Sequence, residues 1–190
     1  MNSEFPLQLK KVLGGDKISL STIEQILKSQ NKPKEKINLL VKEVKENRIS
    51  IDQLIDYFEV GSVSEKGSCI EVIEHVSRDK PEIVLPHVDF ITDHINDQAP
   101  KVKWKTAEAI ANISQKYPNE TVKVVPKLLL NAKDSGTVVR WSAAFALTEI
   151  AKNNPKLRKE LVPKFKEIAE KEKNNGVKNV YIKALKIIEK

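Results

Sequence analysis

A chain of 190 residues that is 40% hydrophobic, 31% charged and 5% aromatic has aliphatic material for a packed core, which excludes a disordered tail. Its formal net charge of +7 conceals a polarity: 9 basic against 6 acidic residues over 1–47, 4 against 11 over 48–100, and 20 against 9 over 101–190. The lone Cys69 excludes an intrachain disulfide or a cysteine-based zinc cluster, and no apolar run approaches the roughly 20 residues that cross a bilayer.

The N-terminal stretch lacks the pattern of a secretory leader, so a cytoplasmic location is expected. Gly14-Gly15 reads as a turn. Ile18-Ser19-Leu20, with Ile23, Ile26 and Leu27, recurs 31 residues on as Ile49-Ser50-Ile51, with Leu54, Tyr57 and Phe58. Ser19 or Ser21, and Ser50, are suited to cap the helices these runs predict. Between them, Ile37, Leu40, Val41 and Val44 form an apolar stripe over 33–46. Gly61-Ser62 reads as the next turn. Residues 1–62 are thus expected to form short, divergent helical pairs.

A stricter repeat governs 64–190. Val102-Lys103-Trp104 returns 37 residues later as Val139-Arg140-Trp141, and the same interval maps Ala107, Ala109, Ile110 and Ile113 onto Ala144, Ala146, Leu147 and Ile150. One interval earlier lie Ile70, Ile73 and Val76. An interval of 38 carries Val139, Ala144, Leu147 and Ile150 onto Val177, Ile182, Leu185 and Ile188, a closing half repeat. Each unit reads as two helices, because Ala107, Ile110, Ala111 and Ser114 recur at helical spacing, as do Val122, Val125, Leu128 and Leu129. Pro81, Pro118 and Pro155 punctuate the hairpins. Pro126 and Pro163 demand either that the second helices start late, near Val124 and Leu161, or that they kink.

Asp134, Val139-Arg140, Ala143-Ala144, Ala146-Leu147 and Ile150 resemble the first helix and preceding turn of a HEAT or HEAT-like, armadillo-type repeat. Val102-Lys103 with Ala107, Ala109-Ile110 and Ile113, and Val177-Lys178 with Ile182, Ala184-Leu185 and Ile188, are further versions. The resemblance implies an all-α fold, a right-handed α-α superhelix of helical hairpins forming one solenoid domain over 1–190. It also implies that the second helices, 81–96, 120–133 and 157–173, line an inner face that meets a partner.

On that face Lys123, Lys127, Arg158, Lys159 and Lys164 are the expected basic side and Asp89 and Asp93 the acidic side, a mixture suited to a protein or peptide. The leading expectation is a non-enzymatic scaffold. The alternative is nucleic-acid binding by the basic residues of 101–190. HEAT-like arrays include DNA glycosylases, whose catalytic acid and aromatic cleft have no counterpart identified in this chain.

Trp104 and Trp141 are either an aromatic anchor beside Lys103 and Arg140 or indoles packed between successive helices; their register with the core alanines favours packing. Arg140, and with it Lys103 and Lys178, is expected to bond an acidic or carbonyl group between repeats, with Asp134 the foremost candidate. His87 and His94 lie seven residues apart, about 10 Å along a helix, too far for a simple ligand pair, so no metal is expected. Cys69 sits in an apolar-periodic segment and reads as a buried thiol. No phosphate-loop, nucleophile-elbow or zinc-protease motif is present, so neither catalytic residues nor cofactors are expected.

Overall fold

The computed structural model describes residues 17–190; the expected turn at Gly14-Gly15 lies outside them. In chain order the helices are α1 (Lys17–Lys28), α2 (Pro33–Lys45), α3 (Ile51–Val60), α4 (Val63–Asp79), α5 (Pro81–Val84), α6 (Val88–Asp93), α7 (Pro100–Ser114), α8 (Val125–Asn131), α9 (Thr137–Asn153), α10 (Pro155–Lys171) and α11 (Asn175–Ile188). Single 3₁₀ turns, Leu85–His87 and Val122–Val124, precede α6 and α8. Among the described residues there is no strand.

Local chemistry sets the helix boundaries. Ser50 accepts from the Gln53 amide at 3.2 Å while the Gln53 side chain accepts from the Ser50 amide at 2.8 Å, a reciprocal cap that starts α3. Ser62, read from sequence only as part of a turn, starts α4 in the same way with Glu65. Ser19 and Ser21 are not caps: α1 already includes Lys17, so both serines lie inside the helix. Pro126 occupies the second position of α8, where an amide has no intrahelical acceptor, so the late start holds there. It fails for α10, which runs unbroken from Pro155 with Pro163 inside it. Pro155 is itself a good first helical residue, and Pro163 leaves only the carbonyl of exposed Lys159 without an intrahelical donor.

The helices alternate between two layers. In one, α2, α4, α7, α9 and α11 lie side by side; in the other, α1, α3, α5 with α6, α8 and α10 follow one another. A middle helix of the first layer has a neighbour on either flank and its own second helix beneath. Its burial accordingly extends around most of the helix: Val102, Thr106, Ala107, Ala109, Ile110, Ala111, Ile113 and Ser114 in α7, and a similar series from Val139 to Ala151 in α9. Alanine lets the backbones approach while Ile110, Ile113, Leu147 and Ile150 fill the remaining space. The buried hydroxyls of Thr106, Ser114 and Ser142 bond carbonyls of their own helices, so none is left unpaired there. The product is a superhelix of stacked helical hairpins.

Polar clamps join the repeats. Asp97, Asp134 and Glu172, at intervals of 37 and 38, each accept from the backbone amide two residues on, at 2.8, 2.7 and 2.7 Å. From the preceding first helix Lys103 reaches the Asp134 carboxylate at 2.8 Å, and Arg140 reaches Glu172 at 2.8 Å. Arg140 also donates to the carbonyls of Asp134 and Ser135, tying down its own turn. Asn131 on α8 donates to the carbonyl of Ile95 at 2.6 Å, a buried tie to the preceding unit.

The Lys103 bond and the Gly136 amide hold the Asp134 carboxyl below its ordinary value. A depressed acid stabilises the fold fully above its unfolded pKa, about 3.9, and loses that contribution as pH falls through the lower folded value. Asp134→Asn is therefore expected to be less stable than the parent at pH 7, with the two urea midpoints converging at strongly acid pH. Tyr181 gives the opposite case: it is fully buried against Phe165, and among the described residues its hydroxyl has no hydrogen-bond partner. Tyr181→Phe is expected to raise stability by about 1 kcal/mol in the same measurement, because it removes an unsatisfied polar group without opening a cavity.

Candidate partner-binding surface

The second-helix layer brings together most of the charged residues singled out from the sequence. Lys123, just before α8, pairs with Asp89 on α6. Lys127 one turn later pairs with Asp93 at 3.1 Å and donates to the carbonyl of Thr92 at 2.9 Å. The residues expected to form opposite sides of the surface thus face each other across one inter-repeat seam. Both carboxylates remain largely exposed, at 81% and 76% of the side chain, so water and salt screen the pairs.

Arg158 is turned inward: it donates to the carbonyls of Ala151 and Lys152 at 3.0 and 2.8 Å and closes the end of α9. Lys164 bonds Glu160 on its own helix at 3.2 Å. Lys159 is exposed, and among the described residues no carboxylate lies within ion-pair distance of it; the same holds for Lys133 and Lys156. Leu130, 65% exposed on α8, lies three residues after Lys127 and three before Lys133. Beside it, a groove of about 310 Å³ is lined by Ala132, Lys133, Glu167, Ile168, Lys171 and Glu172. Neither Leu130 nor the groove was anticipated. The run Leu128-Leu129-Leu130 contained the signal, since three consecutive leucines exceed what one buried stripe can absorb.

The outer faces of the first helices differ from unit to unit. Between α4 and α7, the buried carboxylate of Glu74 accepts from Arg78 at 2.5 and 3.0 Å, Lys105 at 3.1 Å and Asn112 at 3.3 Å. Lys105 also bonds Glu108 at 2.8 Å. Burial pushes Glu108 up despite that bond. Burial opposes the charge on Lys105, yet its bonds to the two glutamates hold it above the ordinary lysine value.

Trp104 is half-buried on α7. Trp141, by contrast, is 38% exposed and stacks on Phe145 of its own helix, with ring centroids 5.6 Å apart and planes at 18°. Cys69 is buried, its thiol pushed up to about 12 chiefly by desolvation, so it is a poor nucleophile. His87 faces Asp52 at 3.5 Å, while His94 contacts the rings of Phe58 and Phe90 and approaches Asp97 at 3.3 Å. Among the described residues no three His, Cys, Asp or Glu side chains converge at metal-ligand spacing, and no helix is long and apolar enough to cross a membrane.

A double-mutant cycle over Lys123 and Asp89 is expected to give a coupling of about 0.2–1 kcal/mol in chemical unfolding, as for other exposed pairs. The Glu74–Lys105 pair, removed from water, is expected to couple more strongly and to keep that coupling in high salt.

No family model matches the sequence, and no curated protein is similar to it in sequence. Solved structures are similar to it in shape. A chain from the complex of CpcE and CpcF of phycocyanin lyase from Nostoc sp. PCC7120 has a TM-score of 0.67 at 19% identity, over 89% of this chain and 99% of that one. A designed armadillo repeat protein in complex with the peptide (KR)4 has a TM-score of 0.67 at 15% identity, over 88% and 80%. A computationally designed armadillo repeat protein for modular peptide recognition has a TM-score of 0.59 at 16% identity, over 88% and 81%. Taken with the two layers of helices and the repeat interval, these likenesses identify the chain as an α-solenoid with an armadillo/HEAT-like fold.

Proposed function

We propose that the chain is a non-enzymatic protein-binding scaffold whose second-helix face, from α6 to α10, receives an extended segment of another protein. The observation that carries this reading is exposed Leu130, one helical turn from the screened Lys127–Asp93 pair, on a layer where Lys133, Lys156 and Lys159 have no carboxylate within ion-pair distance among the described residues. Leu130 supplies an apolar anchor and the groove beside it a place for a side chain. Exchanging Asp89 or Asp93 for a partner's carboxylate costs little, because an exposed ion pair is weak to begin with. The designed armadillo repeat protein in complex with (KR)4 supports a peptide as the class of ligand. At the start of α10 the charges without an ion-pair partner among the described residues are Lys156 and Lys159, with exposed Glu170 only near its other end, so the segment lying over that start is acidic.

Nucleic acid is the weaker reading. Asp89, Asp93, Glu160 and Glu167 are interleaved with the lysines, and each would face a phosphodiester backbone with like charge.

The test is affinity capture on the tagged protein from its native cells, followed by cross-link mapping of whatever is held. A protein partner is expected, with cross-links to α8 and α10. Its capture should fall about tenfold or more when Leu130→Ala is combined with Lys133→Ala and Lys159→Ala in a chain of unchanged helical content. Undiminished capture by that variant, or recovery of nucleic acid alone, would overturn the assignment.

A further inference from the structure

We infer that the outer face of α7 and α9, on the opposite layer, is a second docking surface, and that it fits an acidic amphipathic segment of another protein. Val138, Trp141 and Phe145 share one stripe of α9 at intervals of three and four residues. Val138 is 50% exposed and Trp141 38%, while half-buried Trp104 stands at the matching position of α7. These side chains leave a contiguous apolar surface in water on a layer whose neighbouring unit is polar.

The repeat register makes the contrast specific. On α7 the positions equivalent to Val138 and Phe145 are Lys101 and Glu108, which pair with Glu71 and Lys105. The position equivalent to Lys105 is Ser142, which is buried and bonded to the carbonyl of Val139. The Glu74 network that closes the face between α4 and α7 therefore has no counterpart between α7 and α9. An aromatic pair stands in its place, already stacked and so held for contact at little further entropic cost.

Charge decides the kind of partner. Towards α7 the nearby ions neutralise one another, through Lys101 with Glu71 and Lys105 with Glu108; on α9 itself Lys152 pairs with Glu149. Towards α11 the 38-residue register sets Lys183 next to Phe145, and Lys186 lies one turn further along. Both are exposed, and among the described residues neither has a carboxylate within ion-pair distance. The apolar patch is thus bordered on one side by uncompensated positive charge. An amphipathic helix with apolar residues at i, i+3 and i+4 and glutamates beside them meets both features.

The experiment uses the full chain carrying Trp104→Phe, which leaves Trp141 as its only tryptophan. It is titrated with a synthetic amphipathic peptide having a leucine and phenylalanine face flanked by glutamate, and separately with the same peptide carrying lysine for glutamate. A saturable blue shift of Trp141 emission is expected with the glutamate peptide alone. Phe145→Ser should weaken that binding about tenfold, and Lys183→Glu with Lys186→Glu should move the preference to the lysine peptide. The Leu130, Lys133 and Lys159 triple variant should bind as the parent does, which separates this surface from the second-helix face. Equal binding of the two peptides, no saturable shift, or loss of binding in the triple variant would overturn the inference. So would self-association seen by sedimentation and abolished by Trp141→Ser, or a Trp141 shift produced by phosphatidylserine vesicles but not by the peptide.

Discussion

The close approach of the first helices is the constraint from which the remaining architecture follows. α4, α7, α9 and α11 succeed one another with alanine and other small side chains turned to their flanks, so each helix serves as the wall of the next. A single hairpin taken from this row would leave two flanks of its first helix wet. Cohesion therefore belongs to the stack, and any residue that widens one contact alters the spacing on both sides. Gly67 illustrates how tight the spacing is: a Cβ at that position would lie 2.8 Å from Cδ of Lys101 on the neighbouring helix.

That constraint also explains what could be read from the sequence. The recurrence of Val102-Lys103-Trp104 as Val139-Arg140-Trp141 reports the spacing of first helices, because identical neighbours require identical contact residues. Asp134 was legible as a turn residue for the same reason, and both of its bonding roles follow from its place between repeats. The second helices were harder to read. They have one covered face and few inter-repeat obligations, and α5, the 3₁₀ turn and α6 break into pieces what α10 accomplishes as one helix. Pro163 misled because a proline reports a missing amide and says nothing about whether the facing carbonyl has water at hand. Charge partners were the least legible feature. Periodicity places Lys123 and Asp89 on exposed faces, but a separation of 34 residues becomes a contact only once the stacking distance is known.

The two layers solve the problem of charge differently. On the first-helix side between α4 and α7, Glu74 is sunk among the side chains of three donors and its partners are committed. On the second-helix side the ions stand in solvent and are held loosely. The same residue types are therefore structural in one layer and available in the other, and the difference is set by depth rather than by identity. Arg158 shows that position within a layer matters as well: it belongs to the basic group by sequence, yet its guanidinium serves as a plug for the carboxyl end of α9.

The seam formed by Lys123 with Asp89 and Lys127 with Asp93 has a mechanical meaning. These two pairs act as weak springs along one edge of a stack whose other edge is fastened by a desolvated network. Ionic strength relaxes the first and leaves the second nearly untouched. The array is thus built like a bimetallic strip, with two bonded sides that answer the same change in the medium by different amounts, so salt is a lever on its bend.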